Sequence, residues 1–244
     1  MIFAKYAIPC LLLFSAILLL VFLSFSVLAQ YGYSQTEGNN HDISIMSSSS
    51  YMAKNEDGEN DYHVVGEVKN NSTIDTVNNV KISSTFYDKA RGAVGTDFAY
   101  TYIDVLRPAE KSSFEIILNG AAQSQKVSSY KLSASGDKAK PLPASLRLSV
   151  DNNYLDNMSE FHVVGKVTNQ GSQKATFVRV SGAFYNSSNT VVAAGITYVS
   201  HIDLESGQTA PFEIRVNAPS AKEITSASLN VCSQQYSSVI KNER

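Results

Sequence analysis

The sequence predicts an all-β protein in which two tandem β-sandwich domains follow an N-terminal apolar helix. The chain has 244 residues, with 13 Tyr, 11 Phe and no Trp. It is also rich in Val, Ser, Thr and Asn, which favour strands and the turns between them. It repeats itself with a period of about 100 residues, the size of a domain rather than of a solenoid unit. Two small domains are therefore expected after the apolar segment.

The apolar segment, residues 7–29, contains no charged residue and is long enough to cross a bilayer as a helix. Lys5 precedes it and the next basic residue is Lys54, so the N-terminus is expected in the cytoplasm and the rest of the chain outside. Val27-Leu28-Ala29 also matches a signal-peptidase site. Residues 1–29 are therefore predicted to be a transmembrane anchor or a cleaved signal peptide. The protein is then either held in the cell membrane with its C-terminal domains outside, or secreted.

Composition divides the remaining chain into five parts. Residues 30–42 are rich in Gly, Ser and Asn and are expected to form a flexible stalk. The first sandwich is predicted at 43–135 and a short linker that contains prolines at 136–143. The second sandwich follows at 144–236, and a C-terminal tail at 237–244.

The repeat is visible residue by residue. Tyr62–Asn71 reads YHVVGEVKNN and Phe161–Gln170 reads FHVVGKVTNQ, identical at six of ten positions. Two further pairs of segments align in the same order: Val80–Asp88 with Val178–Asn186, and Ser113–Ile116 with Pro211–Ile214. Each copy is therefore expected to be a whole domain.

Apolar and polar residues alternate within each copy, as in strands that bury one face. Tyr62, Val64 and Val68 share one face of the first such segment, and His63 and Glu67 share the other. In the second copy, a further inward-facing row is predicted at Val192, Ala194, Ile196 and Tyr198. Turn residues end these rows, which is typical of a two-sheet antiparallel sandwich.

A Val-Val-Gly-x-Val-x-Asn motif occurs twice, at Val64–Asn70 and Val163–Asn169. Each copy continues with an aromatic-Tyr-Asp or aromatic-Tyr-Asn turn and with a Leu-led turn into Phe-Glu-Ile, at 84–88 and 182–186 and at 106–116 and 204–214. In these features the chain resembles the FxLYD domain family, small immunoglobulin-like modules of prokaryotic, often archaeal, surface proteins. The turn departs from the family's Phe-x-Leu-Tyr-Asp, since the chain reads STFYD and GAFYN.

The resemblance implies two tandem immunoglobulin-like β-sandwich domains and carries over no catalytic residue. A similar β-sandwich of desiccation-related proteins is the alternative fold.

No catalytic, cofactor-binding or metal-binding residue is predicted, and no cofactor. The chain contains no G-x-S-x-G, P-loop, H-E-x-x-H or C-x-x-C motif. The formal net charge of −2 gives no basic surface for nucleic acid. Cys10 and Cys232 are the two cysteines, and Cys232 is interpreted as a small strand residue rather than a nucleophile. Nucleic acid and nucleotides are therefore not expected as partners.

Two sets of residues resemble metal ligands. His63 and His162 occupy equivalent positions of the repeat and are interpreted as exposed strand histidines. The runs Asn55–Asp61 and Asp151–Asp156 are rich in oxygen ligands, but neither has the spacing of a known calcium loop. Solvated acidic turns are the favoured interpretation, and calcium binding by the first run is left open.

Four asparagines lie in glycosylation sequons on predicted turns: Asn70, Asn71, Asn157 and Asn186. Glycosylation at these positions is a hypothesis for an exported chain.

The function predicted from the sequence is that of a non-enzymatic exported cell-surface module with a structural or a protein- or glycan-recognition role in the envelope. Its expected partners are the membrane, through the N-terminal segment if that is not cleaved, and an envelope protein or glycan. The alternative is a substrate-binding subunit or enzyme with an unrecognised site at the junction of the two domains.

Overall fold

The computed structural model describes residues 42–239 and has an all-β fold. Seven strands precede the segment 140–143: β1 (Ile43–Lys54), β2 (Asn60–Asn70), β3 (Thr76–Tyr87), β4 (Ala93–Tyr100), β5 (Val105–Leu106), β6 (Lys111–Leu118) and β7 (Ser129–Ala139). Seven follow it: β8 (Ala144–Leu155), β9 (Phe161–Asn169), β10 (Arg179–Tyr185), β11 (Val191–Tyr198), β12 (Thr209–Val216), β13 (Ser226–Cys232) and β14 (Ser237–Ser238). A helical turn, α1 (Ala121–Ser124), and a 3-10 turn at Ala221–Glu223 complete the elements. We call residues 42–139 the first half and 144–239 the second half.

No helix long and apolar enough to cross a membrane occurs within residues 42–239. The predicted signal or anchor at 1–29 lies outside the described residues, as does the predicted stalk up to residue 41.

The two halves share one strand plan. In the first half β2 lies between β1 and β6, while β3 pairs with β4 and β5 on one side and β7 on the other. In the second half β9 lies between β8 and β12, and β10 lies between β11 and β13. Each hydrophobic core draws on both strand groups, for example Val64 and Phe86 in the first half and Val163 and Phe184 in the second. Each half is therefore sandwich-like, with its core between the two groups of strands.

The glycine of the repeated motif lets an aromatic ring and a neighbouring strand approach the backbone. Gly165 is paired with Phe212 on β12, and a Cβ on Gly165 would lie 2.2 Å from Ser149 O and 2.8 Å from the Phe212 ring. Gly66 is paired with Phe114 in the same way, and a Cβ there would lie 2.5 Å from that ring. No other residue type fits these two positions without displacing its neighbours.

The asparagine that ends the motif holds two turns together. The Nδ2 of Asn169 donates to Gln173 O at 2.8 Å and Leu204 O at 2.9 Å, and its Oδ1 accepts from Gly171 N at 2.9 Å. Asn70 makes the corresponding three bonds in the first half, to Asp75 O, Leu106 O and Ser72 N. Both asparagine residues are 0% exposed. They therefore replace backbone partners that these buried turns lack.

This role conflicts with the sequon prediction at Asn70. A glycan would be attached to the Nδ2 of Asn70, which is buried and donates both of its hydrogen bonds to carbonyl groups. Glycosylation of Asn70 is thus incompatible with the folded conformation. Asn71 and Asn157 are exposed, and Asn186 is mostly buried. Glycosylation at these three residues stays a prediction.

The outer face of β2, predicted to be polar and open, is covered by the second half. Val65 packs with Ala183 and Val191 in a small hydrophobic cluster that joins the halves. Glu67 is 2% exposed, and its Oε2 lies 2.9 Å from the Nζ of Lys111. Alternation along a strand separates its two faces, but it does not say whether a neighbour covers the second one.

Hydrogen bonds reinforce this packing of one half on the other. Ser47 Oγ accepts from Val191 N at 3.0 Å, and Asn230 Nδ2 donates to Lys111 O at 2.8 Å. Arg179 Nη2 also pairs with Asp104 Oδ2 at 2.5 Å. Residues 42–239 belong to one compact unit.

The predicted inward row on β11 is wrong beyond its first residue. The pairing of β10 with β11 shifts between Phe184 and Tyr185, so that Val192 is an extra residue, a β-bulge. After the bulge, Ala193 faces the core with 0% exposure, whereas Ile196 and Tyr198 are 41% and 48% exposed. A single inserted residue therefore reversed the phase of the strand.

Both segments predicted to lie between or after the domains contribute strand residues. β7 continues to Ala139, because residues 137–139 pair with the start of β3. Within the predicted tail, Ser237 pairs with Cys232 on β13 and with Ala144 on β8. β14 thereby joins the two strand groups of the second half into one seven-stranded sheet.

Replacing Asn169 with alanine is expected to lower the free energy of unfolding by about 3 kcal/mol, because two buried carbonyls and one buried N–H lose their partner. Urea denaturation of the purified chain measures this. Asn157→Ala, at an exposed turn position, is the control and should change stability by less than about 0.5 kcal/mol. Equal effects of the two substitutions would contradict the role assigned to Asn169.

Candidate functional site

A cleft of about 460 Å³ lies where the two halves meet. Its wall from the first half includes Tyr51, His63, Tyr102 and Glu115, and its opposite wall includes residues 194–196 and 215–218 of the second half. The cleft combines aromatic rings with charged and amide groups, within the size range of small-ligand sites.

The register of β1, β2 and β6 determines which side chains form the wall that the first half contributes to the cleft. Tyr51 on β1 is directly opposite His63 on β2, and Glu115 on β6 is opposite Val65, two residues further along β2. Residues two apart on a strand share a face, so Tyr51, His63 and Glu115 all project from the outer side. The rings of Tyr51 and His63 stack with centroids 4.9 Å apart and an interplanar angle of 9°.

Three side chains hold the Glu115 carboxylate. Its Oε1 accepts from the Tyr51 hydroxyl at 3.0 Å and lies 2.9 Å from His63 Nδ1, while its Oε2 accepts from the Tyr102 hydroxyl at 3.2 Å. The carboxylate is therefore fixed in position by groups from β1, β2 and the loop after β4.

These contacts set the charge state of the wall. Burial alone would raise the pKa of Glu115, but the hydrogen bonds from His63, Tyr51 and Tyr102 outweigh it and hold that pKa below its usual value. Burial, followed by the charge of Glu115, raises the pKa of Tyr51 and of Tyr102. Glu115 thus stays an ionised acceptor and the two tyrosines stay neutral donors.

The same arrangement recurs in the second half. Tyr154 stacks on His162 with centroids 4.7 Å apart and an angle of 2°, and His162 Nδ1 lies 2.9 Å from Glu213 Oε1. Arg215 donates to the other Glu213 oxygen at 3.0 Å. The hydrogen bond with Glu213 is the main cause that raises the pKa of His162, and it likewise lowers the pKa of Glu213.

The sequence analysis interpreted both histidines as exposed strand residues, and this interpretation is wrong. The side chain of His63 is 15% exposed and that of His162 is 7% exposed. Each ring is covered by a tyrosine from the adjacent strand and held by a glutamate from the strand on the other side. Cross-strand register, which the sequence does not reveal directly, produces both contacts.

The first oxygen-rich run spans the β1–β2 turn, whereas the second forms the end of β8 and reaches the β8–β9 turn only with Asp156. In the β1–β2 turn, Asn55 Oδ1 accepts from Asp57 N and Glu59 N and so organises the turn itself. In the β8–β9 turn, Asp156 Oδ1 accepts from Met158 N and Glu160 N in the same way. Calcium binding by Asn55–Asp61 stays untested.

The second turn also assembles a group that the sequence analysis did not predict. Ligand atoms of Asp156, Glu160 and His162 all lie within 4.8 Å of one another. This is the one group of three or more acidic, histidine or cysteine ligands found among residues 42–239. The signal was present in the sequence as Asp-x3-Glu-x-His across a turn.

Cys232 is buried on β13, where burial raises the pKa of its thiol. A thiol kept protonated is a poor nucleophile, consistent with a packing role.

No family model matches the chain, and no curated protein is similar to it. A red sea bream transglutaminase structure aligns with 84% of this chain and 32% of its own length, at 9% identity and a TM-score of 0.26. An Amycolatopsis orientalis exo-chitosanase aligns with 77% of this chain and 26% of its own length, at 9% identity and a TM-score of 0.29. This chain thus spans a third or less of either protein, and both likenesses are too weak to inform fold or function.

Removing the Glu115 charge is expected to change how stability depends on pH. Because its pKa is lowered by folding, Glu115 stabilises the fold above its unfolded pKa of about 4.3, and this contribution is lost as the pH falls through the lowered folded value. The difference in unfolding free energy between wild type and Glu115→Gln should therefore be largest above about pH 5 and shrink towards about pH 3.

Chemical denaturation at a series of pH values measures this difference. Tyr102→Phe is the matched variant: it keeps the carboxylate but removes one donor, so its difference from wild type should also shrink on acidification, by a smaller amount. Parallel pH profiles for wild type and Glu115→Gln would contradict the assignment.

Proposed function

We propose that this chain is an exported, non-enzymatic surface protein that recognises a glycan in the cleft between its two halves. The observation that carries the proposal is the preorganised wall of Tyr51, His63 and Glu115, which faces the second half across a small polar cleft. Groups that are already fixed lose little conformational entropy when a ligand binds.

The chemistry of the cleft suits a sugar. Hydroxyl groups both donate and accept, so they can be bound by a fixed carboxylate such as Glu115, by the amide of Asn217 and by the guanidinium of Arg215. Tyr51 and Tyr102 add aromatic surface, against which the C–H face of a sugar ring can pack. A volume of about 460 Å³ has room for one or two sugar units.

The charge states of the wall favour binding over catalysis. A general acid or base needs a pKa near the working pH, whereas folding moves the pKa of Glu115 down and those of the tyrosines up, away from neutrality. These three groups therefore act as fixed hydrogen-bond partners. The competing function, a substrate-binding subunit or an enzyme, would use the same junction.

The architecture and location are part of the proposal. The two halves are proposed to be tandem immunoglobulin-like sandwiches of the FxLYD type, supported by their common strand plan and by the repeated motif. The apolar segment at 7–29 supports export, with the described residues outside the cell membrane and a glycan or protein of the envelope as the partner.

A glycan array probed with the purified chain, followed by titration of the best ligand, tests recognition. Arg215→Ala is expected to weaken binding roughly tenfold, the loss typical of one charged hydrogen bond. Arg147→Ala is the matched control, since Arg147 is exposed on β8 and does not line the cleft. It should leave the affinity within about twofold of wild type.

Two results would overturn glycan recognition in the cleft. One is the absence of saturable binding to any glycan. The other is an equal loss of affinity in Arg215→Ala and Arg147→Ala. Turnover of a bound glycan would instead favour the enzymatic alternative.

Mass spectrometry of the N-terminus of the chain from its native membrane tests export. A retained N-terminal segment in the membrane fraction is expected for an anchor, and a chain that begins at Gln30 is expected for a cleaved signal peptide. If the segment is retained as an anchor, protease added to intact cells should digest residues 42–239. An uncleaved chain that is recovered from the cytoplasm would contradict export.

A further inference from the structure

The β8–β9 turn brings three ligand groups together in a way that the rest of the fold does not require. Asp156 follows the end of β8, Glu160 precedes β9, and His162 is the second residue of β9. Their ligand atoms lie within 4.8 Å of one another. None of the three lines the junction cleft, although Arg215 of the cleft wall pairs with His162 in strand register.

His162 supplies the second observation. The residue is 5% exposed and its Nδ1 is bound to Glu213, but its buried Nε2 has no hydrogen-bond partner. This nitrogen points into the acidic group, 3.4 Å from Asp156 Oδ2 and 4.0 Å from Glu160 Oε2. A buried polar atom that makes no hydrogen bond is uncommon and destabilises the fold.

The distances fit a metal ion better than a direct bond. Two ligands at about 2.0–2.1 Å from a tetrahedral metal are roughly 3.4 Å apart, which matches the separation of His162 Nε2 and Asp156 Oδ2. The Glu160 oxygen, 4.0 Å from Nε2, must move closer to it by about 0.6 Å to reach this spacing, which is within reach of a side chain on a turn. The two carboxylate oxygens of Asp156 have different roles. Oδ1 accepts the hydrogen bonds of the turn, and Oδ2 faces the imidazole.

We propose that Asp156, Glu160 and His162 bind a divalent metal ion of the zinc class, with a fourth position left for water. Imidazole nitrogen together with carboxylate oxygen is a ligand set typical of zinc. Glu213 is a positioning residue, since it binds the opposite ring nitrogen and so directs Nε2 towards the metal, as carboxylates behind metal-bound histidines commonly do. The stacked Tyr154 ring holds the imidazole in the same orientation.

The first half lacks this site although it shares the Tyr-His-Glu arrangement. Asn55 occupies the place of Asp156 and makes the same turn contacts, but an amide replaces the carboxylate. Asp61 lies two residues before His63, as Glu160 lies before His162, but its Oδ2 accepts from Asn55 Nδ2 at 3.2 Å and its Oδ1 accepts from Gly120 N at 3.1 Å.

Binding of Zn²⁺ to the full chain tests the proposal, after treatment with a chelator and exchange into metal-free buffer with detergent. Isothermal titration is expected to show one equivalent of Zn²⁺. Asp156→Asn and His162→Gln should each weaken that binding at least tenfold, and Glu213→Gln by roughly 10–100-fold. His63→Gln, the matched control in the first half, should leave it unchanged.

Asp156→Asn separates metal binding from folding, because Asn55 shows that asparagine supports the same turn. Its metal-free melting temperature should stay near that of wild type, while the rise in melting temperature caused by Zn²⁺ is lost. The visible absorption of bound Co²⁺ should likewise be absent in His162→Gln.

Three results would overturn the proposal: no saturable binding of Zn²⁺, equal affinity in wild type and Asp156→Asn, or an equal loss in His63→Gln and His162→Gln. Any of them would leave a protonated imidazole paired with the surrounding carboxylates as the explanation of the group.

Discussion

Packing of the second half on the outer face of the β1–β2–β6 group is the constraint on which much of this structure depends. Without it, Val65 would be an exposed apolar residue and Glu67 a solvated charge, but both are buried. The same packing turns the Tyr51–His63–Glu115 cluster from an exposed strand surface into the wall of a cleft. A junction between two copies thus provides what neither copy has alone, a concave polar surface.

The copies illustrate how one arrangement acquires two chemistries. Both halves stack a tyrosine on a histidine and hold its Nδ1 with a glutamate. In the first half a second tyrosine, Tyr102, fills the remaining space around the glutamate. In the second half a turn of the same length lies two residue pairs closer to the Tyr-His pair. An aspartate also stands where the first half has an asparagine, and the free ring nitrogen faces carboxylates. Small changes at a turn, with the strands retained, are enough to redirect a buried polar cluster.

Much of the strand plan could be predicted from the sequence, because the repeat and the alternation each depend on short stretches of chain. What could not be predicted depends on contacts between distant residues. The bulge at Val192 reversed the phase of β11 without a glycine or proline to mark it. The burial of Asn70 and of His162 depends on loops and strands far away in sequence. The Asp156–Glu160–His162 group lies within seven consecutive residues and could have been found in the sequence. Acidic residues at a turn are usually explained by solvation, however, and only the structure shows the buried Nε2 atom of His162 beside them.

β14 has a consequence for how the chain folds. It connects β13 with β8 and so covers strand edges that would otherwise offer unpaired backbone groups to other chains. Arg107 of the first half donates to the Ser238 carbonyl and secures the strand from the other side. Because β14 follows every other strand among residues 42–239, it is synthesised after them, and domains tend to fold in order of synthesis. Until β14 pairs with β13 and β8, the second half exposes unpaired strand edges. The interval between the synthesis of β14 and its pairing is therefore when these edges can promote aggregation.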